Sequence, residues 1–357
     1  MTPERAPARA PWDSAAPLLL PERAASLIPP TPEAVEIEPA APPGSAWAWV
    51  RVVVGAVLAA AALRTFVFEA YRIPSESMED TLLVGDFVFV SKLAYGPHVW
   101  GRHLPGYTAP RRGDVAVFHY PPGLETRLED RMPYVKRVVG LPGDTVAVVA
   151  KRTVVNGSRV PEPPQGRRFW QVRTNGPPPA PETLAAAGLD LTPERLADGL
   201  WLVDANADEA ARLAGLAGVD ELSVYLRQPG DGSAAFPVSE RYSLDDYGPV
   251  IVPRRGLTVA LDEASVGLYR VAITRDEGHT LERSATGILL DGRPAERYTF
   301  AEDYLFVLGD HRDDSADSRT WGFVPVRNLI GRASWLYLSW DAEARAVRWD
   351  RIGRAVR

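Results

Sequence analysis

The sequence predicts a mostly β core with an inserted α+β lobe and one N-terminal membrane-spanning helix. Several short apolar segments are separated by glycine and proline, which is typical of strands joined by tight turns. Helical and strand-like patterns mix in the middle of the chain, and one apolar run precedes the strands. With 357 residues the chain is long enough for two domains or for one large domain with an insertion.

The first 69 residues predict a tail followed by a membrane anchor. Residues 1–44 carry repeated prolines among Ala and Glu with few large apolar side chains, so we expect a disordered tail. Residues 45–69 form the predicted anchor, in which Arg51 and Arg64 flank the apolar run 52–63 and can snorkel toward the two bilayer surfaces. A cleaved signal peptide is the alternative, and the long tail ahead of the run counts against it.

The β core is predicted in two parts, residues 70–150 and residues 301–340. In both parts, apolar runs of strand length lie between turn residues. Short strands of this kind favour a barrel-like or sandwich-like arrangement. The candidate strands are 87–90, 114–119, 134–139, 145–149, 304–308 and 332–339.

The inserted lobe is predicted at residues 151–300 and carries no visible chemistry. Its segment 207–217 has helical spacing, whereas 222–226 and 268–273 have strand-like patterns. Residues 341–357 form a basic tail with an arginine at every third position, which favours a solvated terminal helix. Contact of that tail with a membrane surface is the alternative.

The composition excludes several functional classes. The chain has no cysteine, which excludes disulfides, thiolate metal sites and thiol catalysis. Its formal net charge of -6 argues against nucleic acid as a partner. No zinc-peptidase or calcium-loop signature occurs, so we predict neither a metal nor another cofactor.

A pair of serines follows the apolar run, at Ser75 and Ser77 behind Pro74. A serine hydroxyl is a poor nucleophile until a base removes its proton. Three kinds of base are open: His311 in a Ser-His-Asp arrangement, Lys136, or a carboxylate dyad from the acidic segment 310–317 with structural serines.

Lys136 lies inside an apolar strand pattern, which makes its environment decisive. Side chains alternate across a strand, so Tyr134, Lys136 and Val138 share one face and Arg137 points to the other. If the face of Lys136 is buried, desolvation lowers the lysine pKa and makes the amine a competent base. A surface lysine on an edge strand is the alternative.

Five segments of the chain, in order and with an apolar run just upstream, resemble the motif boxes of type I bacterial signal peptidases. The resemblance covers roughly residues 46–150 and 300–340 and implies a signal-peptidase-like β catalytic core. The five segments are Pro74-Ser75-Glu76-Ser77-Met78, residues 85–90, residues 112–118, residues 134–144 and residues 309–319.

The resemblance implies roles for individual residues. Ser77 matches the nucleophile and Lys136 the general base of a Ser/Lys dyad, and Ser75 matches the residue whose hydroxyl joins the Ser77 backbone N–H in the oxyanion hole. Ser315 matches the hydroxyl that orients the lysine amine. The supporting positions of the family are matched by Arg137, Asp317 and Arg319.

The resemblance also implies a substrate and a location. Family members are serine endopeptidases that cut exported preproteins after small residues at the -1 and -3 positions. Their catalytic domain faces the outer side of the bacterial plasma (inner) membrane and is held there by a membrane span. The expected partners are therefore preproteins with cleavable signal peptides and the lipid bilayer. A non-catalytic membrane-tethered scaffold and a soluble self-cleaving regulator are the two alternative functions.

Three residues depart from the family pattern. Glu76 stands where glycine is frequent, Asp80 replaces a common proline, and His311 replaces a common asparagine. A buried anion beside an oxyanion hole would oppose catalysis, so we expect the Glu76 carboxylate to point to solvent.

Overall fold

The computed structural model describes residues 46–99, 102–122, 127–227, 235–237, 241–285 and 287–357. The predicted disordered tail lies outside these residues. The chain divides into two compact units, Met1–Gly55 and Ala56–Arg357.

The described residues form strands, short helices and one long helix. The strands are β1 Phe68–Arg72, β2 Asp86–Ser91, β3 His98–Val99, β4 Arg102–His103, β5 Val115–His119, β6 Pro133–Gly140, β7 Thr145–Val149, β8 Arg152–Val155, β9 Ser158–Arg159, β10 Arg168–Thr174, β11 Glu194–Ala197, β12 Leu200–Ala205, β13 Val219–Val224, β14 Tyr247–Ile251, β15 Thr258–Ala260, β16 Leu281–Ser284, β17 Gly287–Leu290, β18 Arg293–Pro294, β19 Arg297–Thr299, β20 Tyr304–Leu308, β21 Val324–Pro325, β22 Leu329–Asp341 and β23 Ala346–Val347. The helices are α1 Ala46–Phe66, α2 Lys92–Tyr95, α3 Pro181–Ala186, α4 Ala207–Ala214, α5 Glu263–Val271 and α6 Ser318–Trp321.

Helix α1 has 21 residues and none of them is buried. At 1.5 Å per residue it is about 31 Å long, close to the ~30 Å hydrocarbon core of a bilayer. Among the described helices it is the one that is long and apolar enough to cross a membrane. It therefore fits a single pass.

The core of the second unit is an eight-stranded sheet in the order β1-β2-β22-β5-β6-β20-β21, with β23 paired to β22. Strand β5 shows why its sequence is apolar at successive positions. Val115 and Val117 pack into one hydrophobic cluster, whereas Ala116 and Phe118 pack into another. Because successive side chains of a strand point to opposite faces, both faces of β5 are buried in apolar clusters. The chain is mostly β, as predicted.

The predicted inserted region contains a separate four-stranded sheet in the order β11-β12-β10-β13, which packs with α4 around its own apolar cluster. A third sheet, β14-β7-β8-β9, joins strands from both sides of residue 151. The predicted limits of the inserted lobe, residues 151 and 300, stay a prediction. At the first limit, β7 pairs with β8, so one sheet contains residues from both sides of it.

Two local predictions are wrong. The strand-like segment 268–273 is helical, because a capping box between Asp262 and Ser265 starts α5 ahead of it and the helix continues as a π-helical turn to Asp276. Its buried apolar residues face the large core cluster, so the run reflects burial and not strand geometry.

The basic tail is not a helix either. It forms the short strand β23 and a 3-10 turn at Trp349–Arg351, and Gly353 then has a φ of +79° that ends any helical path. Arg351 is buried and its Nε lies 3.0 Å from Asp86 Oδ1, while Arg348 pairs with Asp341. The three-residue spacing predicted that these arginines lie on a solvated helix. Instead, Arg348 and Arg351 form ion pairs with aspartates of the main sheet.

Candidate active site

The two serines lie on a loop between β1 and β2, residues 74–82, here called the serine loop. Met78 and Leu82 are fully buried in the cluster on one face of the main sheet and anchor the loop. Two backbone hydrogen bonds tighten it, from Glu79 N–H to the Glu76 carbonyl and from Leu82 N–H to the Met78 carbonyl. The side chain of Ser77 is thereby held in place, and the residue is only 7% exposed.

Lys136 lies on β6 and is paired with Ala116 on β5, while β20 pairs with β6 from Arg137 onward. Its Nζ lies 2.6 Å from Ser77 Oγ and also donates a hydrogen bond to the Val135 carbonyl. The residue is 3% exposed. The structure therefore brings the two residues together across 59 positions of sequence, and Lys136 is not a surface residue of an edge strand.

Burial lowers the pKa of Lys136 to about 8. Desolvation of the ammonium form is the main cause, and it outweighs the nearby carboxylates of Asp317, Asp310 and Asp314, which favour the charged form. With this pKa roughly a tenth of the amines are neutral at pH 7, compared with about 0.03% for an unperturbed lysine. The arrangement can therefore supply a base at ordinary pH.

The other two serines lie near the pair but contact it less directly. Ser75 Oγ lies 3.4 Å from Ser77 Oγ, and Ser75 is exposed. Ser315 Oγ is buried and has no hydrogen-bond partner among the described residues, so it does not bond the Lys136 amine in this structure. The Ser315 side chain packs against the Cα of Gly309, where a methyl group would overlap it and would lie 2.6 Å from the Ser77 carbonyl oxygen.

Arg137 ties the sheet to the serine loop through Asp310. Its guanidinium donates to both Asp310 carboxylate oxygens, at 2.7 Å and 2.5 Å, and Asp310 also accepts from the hydroxyl of Thr81 at 2.7 Å. Arg137 points away from Lys136, as strand alternation predicts, yet it is also buried because Asp310 satisfies it.

Asp317 and Arg319 form a fully buried ion pair of 2.8 Å behind the site. Burial acts to raise the pKa of Asp317, but the Arg319 guanidinium and backbone N–H groups outweigh it and hold the pKa below its ordinary value. Arg319 also donates to the carbonyls of Leu244 and Arg312, and Asp317 accepts from Gly309 N–H. The pair therefore fixes the segment that carries Ser315.

A groove of about 320 Å³ opens directly onto the Ser77–Lys136 pair. It is more apolar than polar along its walls, which suits an uncharged peptide segment. Its lining residues are Pro74, Ser75, Ser77, Met132, Pro133, Tyr134, Val135, Lys136, Asp314 and Ala316. Glu76 is exposed, as expected for a carboxylate beside this site.

The geometry does not favour the two other bases. The ring nitrogens of His311 face Glu79 and Asp204, at 3.4 Å and 3.1 Å, and neither bonds Ser77. Asp317 and Asp310, the acids of the 310–317 segment whose charges act most strongly on Lys136, are each paired with an arginine. The sequence did not single out Arg167, Asp204 and Glu209. Arg167 pairs with Asp80 on the serine loop, and Asp204 and Glu209 of the inserted region pair with Arg167.

Comparison with known proteins agrees with this geometry. Residues 46–177 and 269–340 match the signal peptidase, peptidase S26, family. The chain belongs to this family. It is therefore a peptidase of the hydrolase class. The family match omits residues 178–268, which fall within the predicted inserted lobe.

Individual relatives cover more of the chain. Signal peptidase I of Buchnera aphidicola subsp. Baizongia pistaciae is 29% identical over 302 residues, 82% of this chain and 77% of the relative. Signal peptidase I of Pseudomonas aeruginosa is 29% identical over 78% of this chain and 67% of the relative. The Haemophilus influenzae signal peptidase I is 27% identical over 83% and 71%.

Proposed function

We propose that this chain is a membrane-anchored endopeptidase that cleaves N-terminal signal peptides from exported preproteins with a Ser77/Lys136 dyad. The observation that carries the proposal is the buried 2.6 Å contact between Lys136 Nζ and Ser77 Oγ at the floor of a peptide-sized groove. The names of the relatives indicate the same substrate class.

In the proposed first step, the neutral Lys136 amine takes the Ser77 proton as Oγ bonds the scissile carbonyl carbon. The carbonyl oxygen becomes an oxyanion, which accepts hydrogen bonds from the Ser77 N–H and the Ser75 hydroxyl. The Ser75 and Ser77 side-chain oxygens lie 3.4 Å apart. The Ser75 hydroxyl is therefore close enough to reach the oxyanion on the carbon that Ser77 Oγ has attacked.

In the second step the carbon–nitrogen bond breaks and the Lys136 ammonium gives its proton to the leaving amine. Lys136 then accepts a proton from water as the water oxygen attacks the acyl-enzyme carbonyl carbon. The bond from that carbon to Ser77 Oγ breaks, and the Lys136 ammonium returns the proton to Oγ. This sequence uses no metal or other cofactor. Ser315 is proposed to orient the amine, since its hydroxyl has no competing partner, and Arg137, Asp317 and Arg319 are proposed to brace the site.

The proposed location is the bacterial plasma (inner) membrane, with a single pass through α1 and the peptidase unit on the outer (periplasmic or extracytoplasmic) side. Helix α1 supports this because its length matches a bilayer core and it ends two residues ahead of β1, close in sequence to the serine loop. Anchoring would keep the site beside the lipid surface from which signal peptides emerge and would raise their effective concentration. Nucleic acid is not an expected partner.

We expect Ser77→Ala to lower preprotein processing by at least about 10³-fold, because the acyl-enzyme cannot form. The measurement is processing of a preprotein in detergent micelles, followed by gel shift and N-terminal sequencing of the product. Ser158→Ala is the matched control, because Ser158 is exposed on β9. Processing by Ser77→Ala at the wild-type rate would contradict the proposal, and binding without turnover by the wild type would favour a scaffold.

A further inference from the structure

Arg167 lies at the base of the inserted lobe, one residue ahead of β10, and is joined to the segment after β20. Its backbone N–H donates to the Asp310 carbonyl, and its carbonyl accepts from Arg312 N–H, each at 3.0 Å. Asp310 also pairs with Arg137 on β6. The base of the lobe is thus hydrogen-bonded to a segment that already braces the serine loop.

The side chain of Arg167 connects the serine loop with the lobe. Its Nη1 lies 3.0 Å from Asp80 Oδ2 and 3.1 Å from Glu209 Oε2, and its Nε lies 3.4 Å from Asp204 Oδ1 and 3.7 Å from Glu79 Oε2. Two of these carboxylates belong to the serine loop and two to the lobe. Arg167 is 8% exposed, so water screens these contacts only weakly.

Asp80 is shaped for this contact. Its φ of +67° is inaccessible to proline, the residue common at this position in the family. The Asp80 carboxylate also accepts a hydrogen bond of 3.0 Å from Asn206 Nδ2, the N-cap residue of α4. The serine loop therefore binds the lobe through both Arg167 and the start of a capped helix.

His311 adds a second cation between the same two parts. Its ring nitrogens lie 3.4 Å from Glu79 on the serine loop and 3.1 Å from Asp204 on β12, and the residue is 3% exposed. Its backbone N–H donates to the Ser77 carbonyl at 3.2 Å. The backbone of His311 is thus bonded directly to the residue of the proposed nucleophile.

We propose that Arg167 and His311 form a cationic clamp through which the inserted lobe positions the serine loop. The clamp residues are Arg167, His311, Glu79, Asp80, Asp204 and Glu209. The predicted effect of the clamp on the cleavage rate rests on the proposed function. Its predicted effect on the position of the serine loop does not. Both cations are positioning residues and neither contacts the reacting atoms.

Charge balance supports a clamp more than a metal site. Glu79, Asp204 and His311 place possible ligand atoms within 4.8 Å of one another. The guanidinium of Arg167 already contacts both carboxylates and would repel a divalent cation. Burial acts to lower the pKa of His311, but Asp204 and Glu79 outweigh it and raise the pKa to about 9, so the ring is cationic at neutral pH.

The test is Arg167→Met, with Arg173→Met as the matched control. Arg173 lies on β10, the strand that follows Arg167, and its pair with Glu221 is exposed. We expect Arg167→Met to lower kcat about 10- to 100-fold with KM within about twofold, because small displacements of a nucleophile cost that much. Arg167→Lys should recover part of the loss. Arg173→Met should match the wild type.

Amide hydrogen exchange of the serine loop provides the second readout and requires no substrate. In Arg167→Met, exchange at Glu79 and Leu82, whose N–H groups bond within the loop, should rise at least about tenfold above wild type. Asp204→Asn, which keeps the shape of the side chain, should give a smaller rise in the same amides and serves if Arg167→Met does not fold.

His311 gives the clamp a defined pH range. Its folded pKa exceeds the ordinary value of 6.5, so the stabilising contact is fully present below that value and is lost as pH rises through about 9. The ring faces Glu79, Asp204 and the ring of Phe169, and Arg167 contacts the same two carboxylates. Exchange of the serine loop should therefore increase above pH 9 in the wild type beyond the intrinsic rise, and His311→Asn should remove that increase.

Unchanged serine-loop exchange in both Arg167→Met and Asp204→Asn would overturn the clamp. A rise in exchange after chelator treatment of the wild type would also overturn it, in favour of a metal site. If the wild type shows no cleavage but the exchange pattern is as expected, the proposed function fails and the clamp stands.

Discussion

Replacing Lys136 with methionine is expected to lower kcat by on the order of 10⁴-fold, because the proposed general base is lost while a side chain of similar length still fills its space. Among the described residues, Ser77 Oγ is within hydrogen-bond reach of Lys136 Nζ and of the Ser75 hydroxyl. Of these two groups, the lysine amine is the one that can act as a base. KM should change little, since the buried amine contacts Ser77 and the Val135 carbonyl. The measurement is steady-state cleavage of a signal-peptide substrate in detergent.

Two further variants separate the base from the charge. Lys136→Arg keeps a cation at the site but cannot be deprotonated, so it should be as inactive as the methionine variant. Lys92→Met is the control, because Lys92 pairs with Glu69 on β1 and lies outside the groove. Substantial activity in Lys136→Arg would show that the charge of Lys136 matters and its basicity does not.

Replacing Arg319 with methionine is expected to lower the free energy of unfolding by about 3–5 kcal/mol, because it leaves the Asp317 carboxylate buried without its partner. Both residues are 0% exposed and pair at 2.8 Å. The loss also removes the hydrogen bonds to the Leu244 carbonyl and to the buried Arg312 carbonyl. Denaturant unfolding of the wild type and the variant gives the difference.

The control for this experiment is an exposed ion pair in the same unit. Arg195 pairs with Asp198, and the two side chains are 63% and 94% exposed. Arg195→Met should therefore change the stability by less than about 1 kcal/mol. Equal losses in the two variants would contradict the structural role of the buried pair.

Much of the site could be predicted from local sequence. Alternation along β6 predicted that Lys136 and Arg137 lie on opposite faces of the strand. Both residues are buried in the structure, where Asp310 neutralises the charge of Arg137. The ordered motifs gave the remaining members of the site. The orientation of Ser315 did not follow from its motif, since its hydroxyl bonds no partner in this structure.

Contacts that depend on the inserted lobe could not be predicted. Arg167 and Asp204 carry no local signature, and their meeting with Glu79 and His311 depends on how β10 and β12 approach the serine loop. The helical spacing of segment 268–273 could not be recognised either. The helix is buried, and its run of apolar residues is equally compatible with a buried strand. Tertiary ion pairs likewise decided the form of the basic tail.

The central claim, that neutral Lys136 activates Ser77, is tested most directly by the pH dependence of kcat/KM. The substrate should carry no group that titrates between pH 6 and 8.5, a range in which most of His311 is still protonated. Since the Lys136 pKa is lowered to about 8, kcat/KM should rise about tenfold per pH unit below pH 7.5 and then bend toward a plateau with a midpoint near 8. A rate independent of pH over this range, or one still rising tenfold per unit at pH 8.5, would contradict the account.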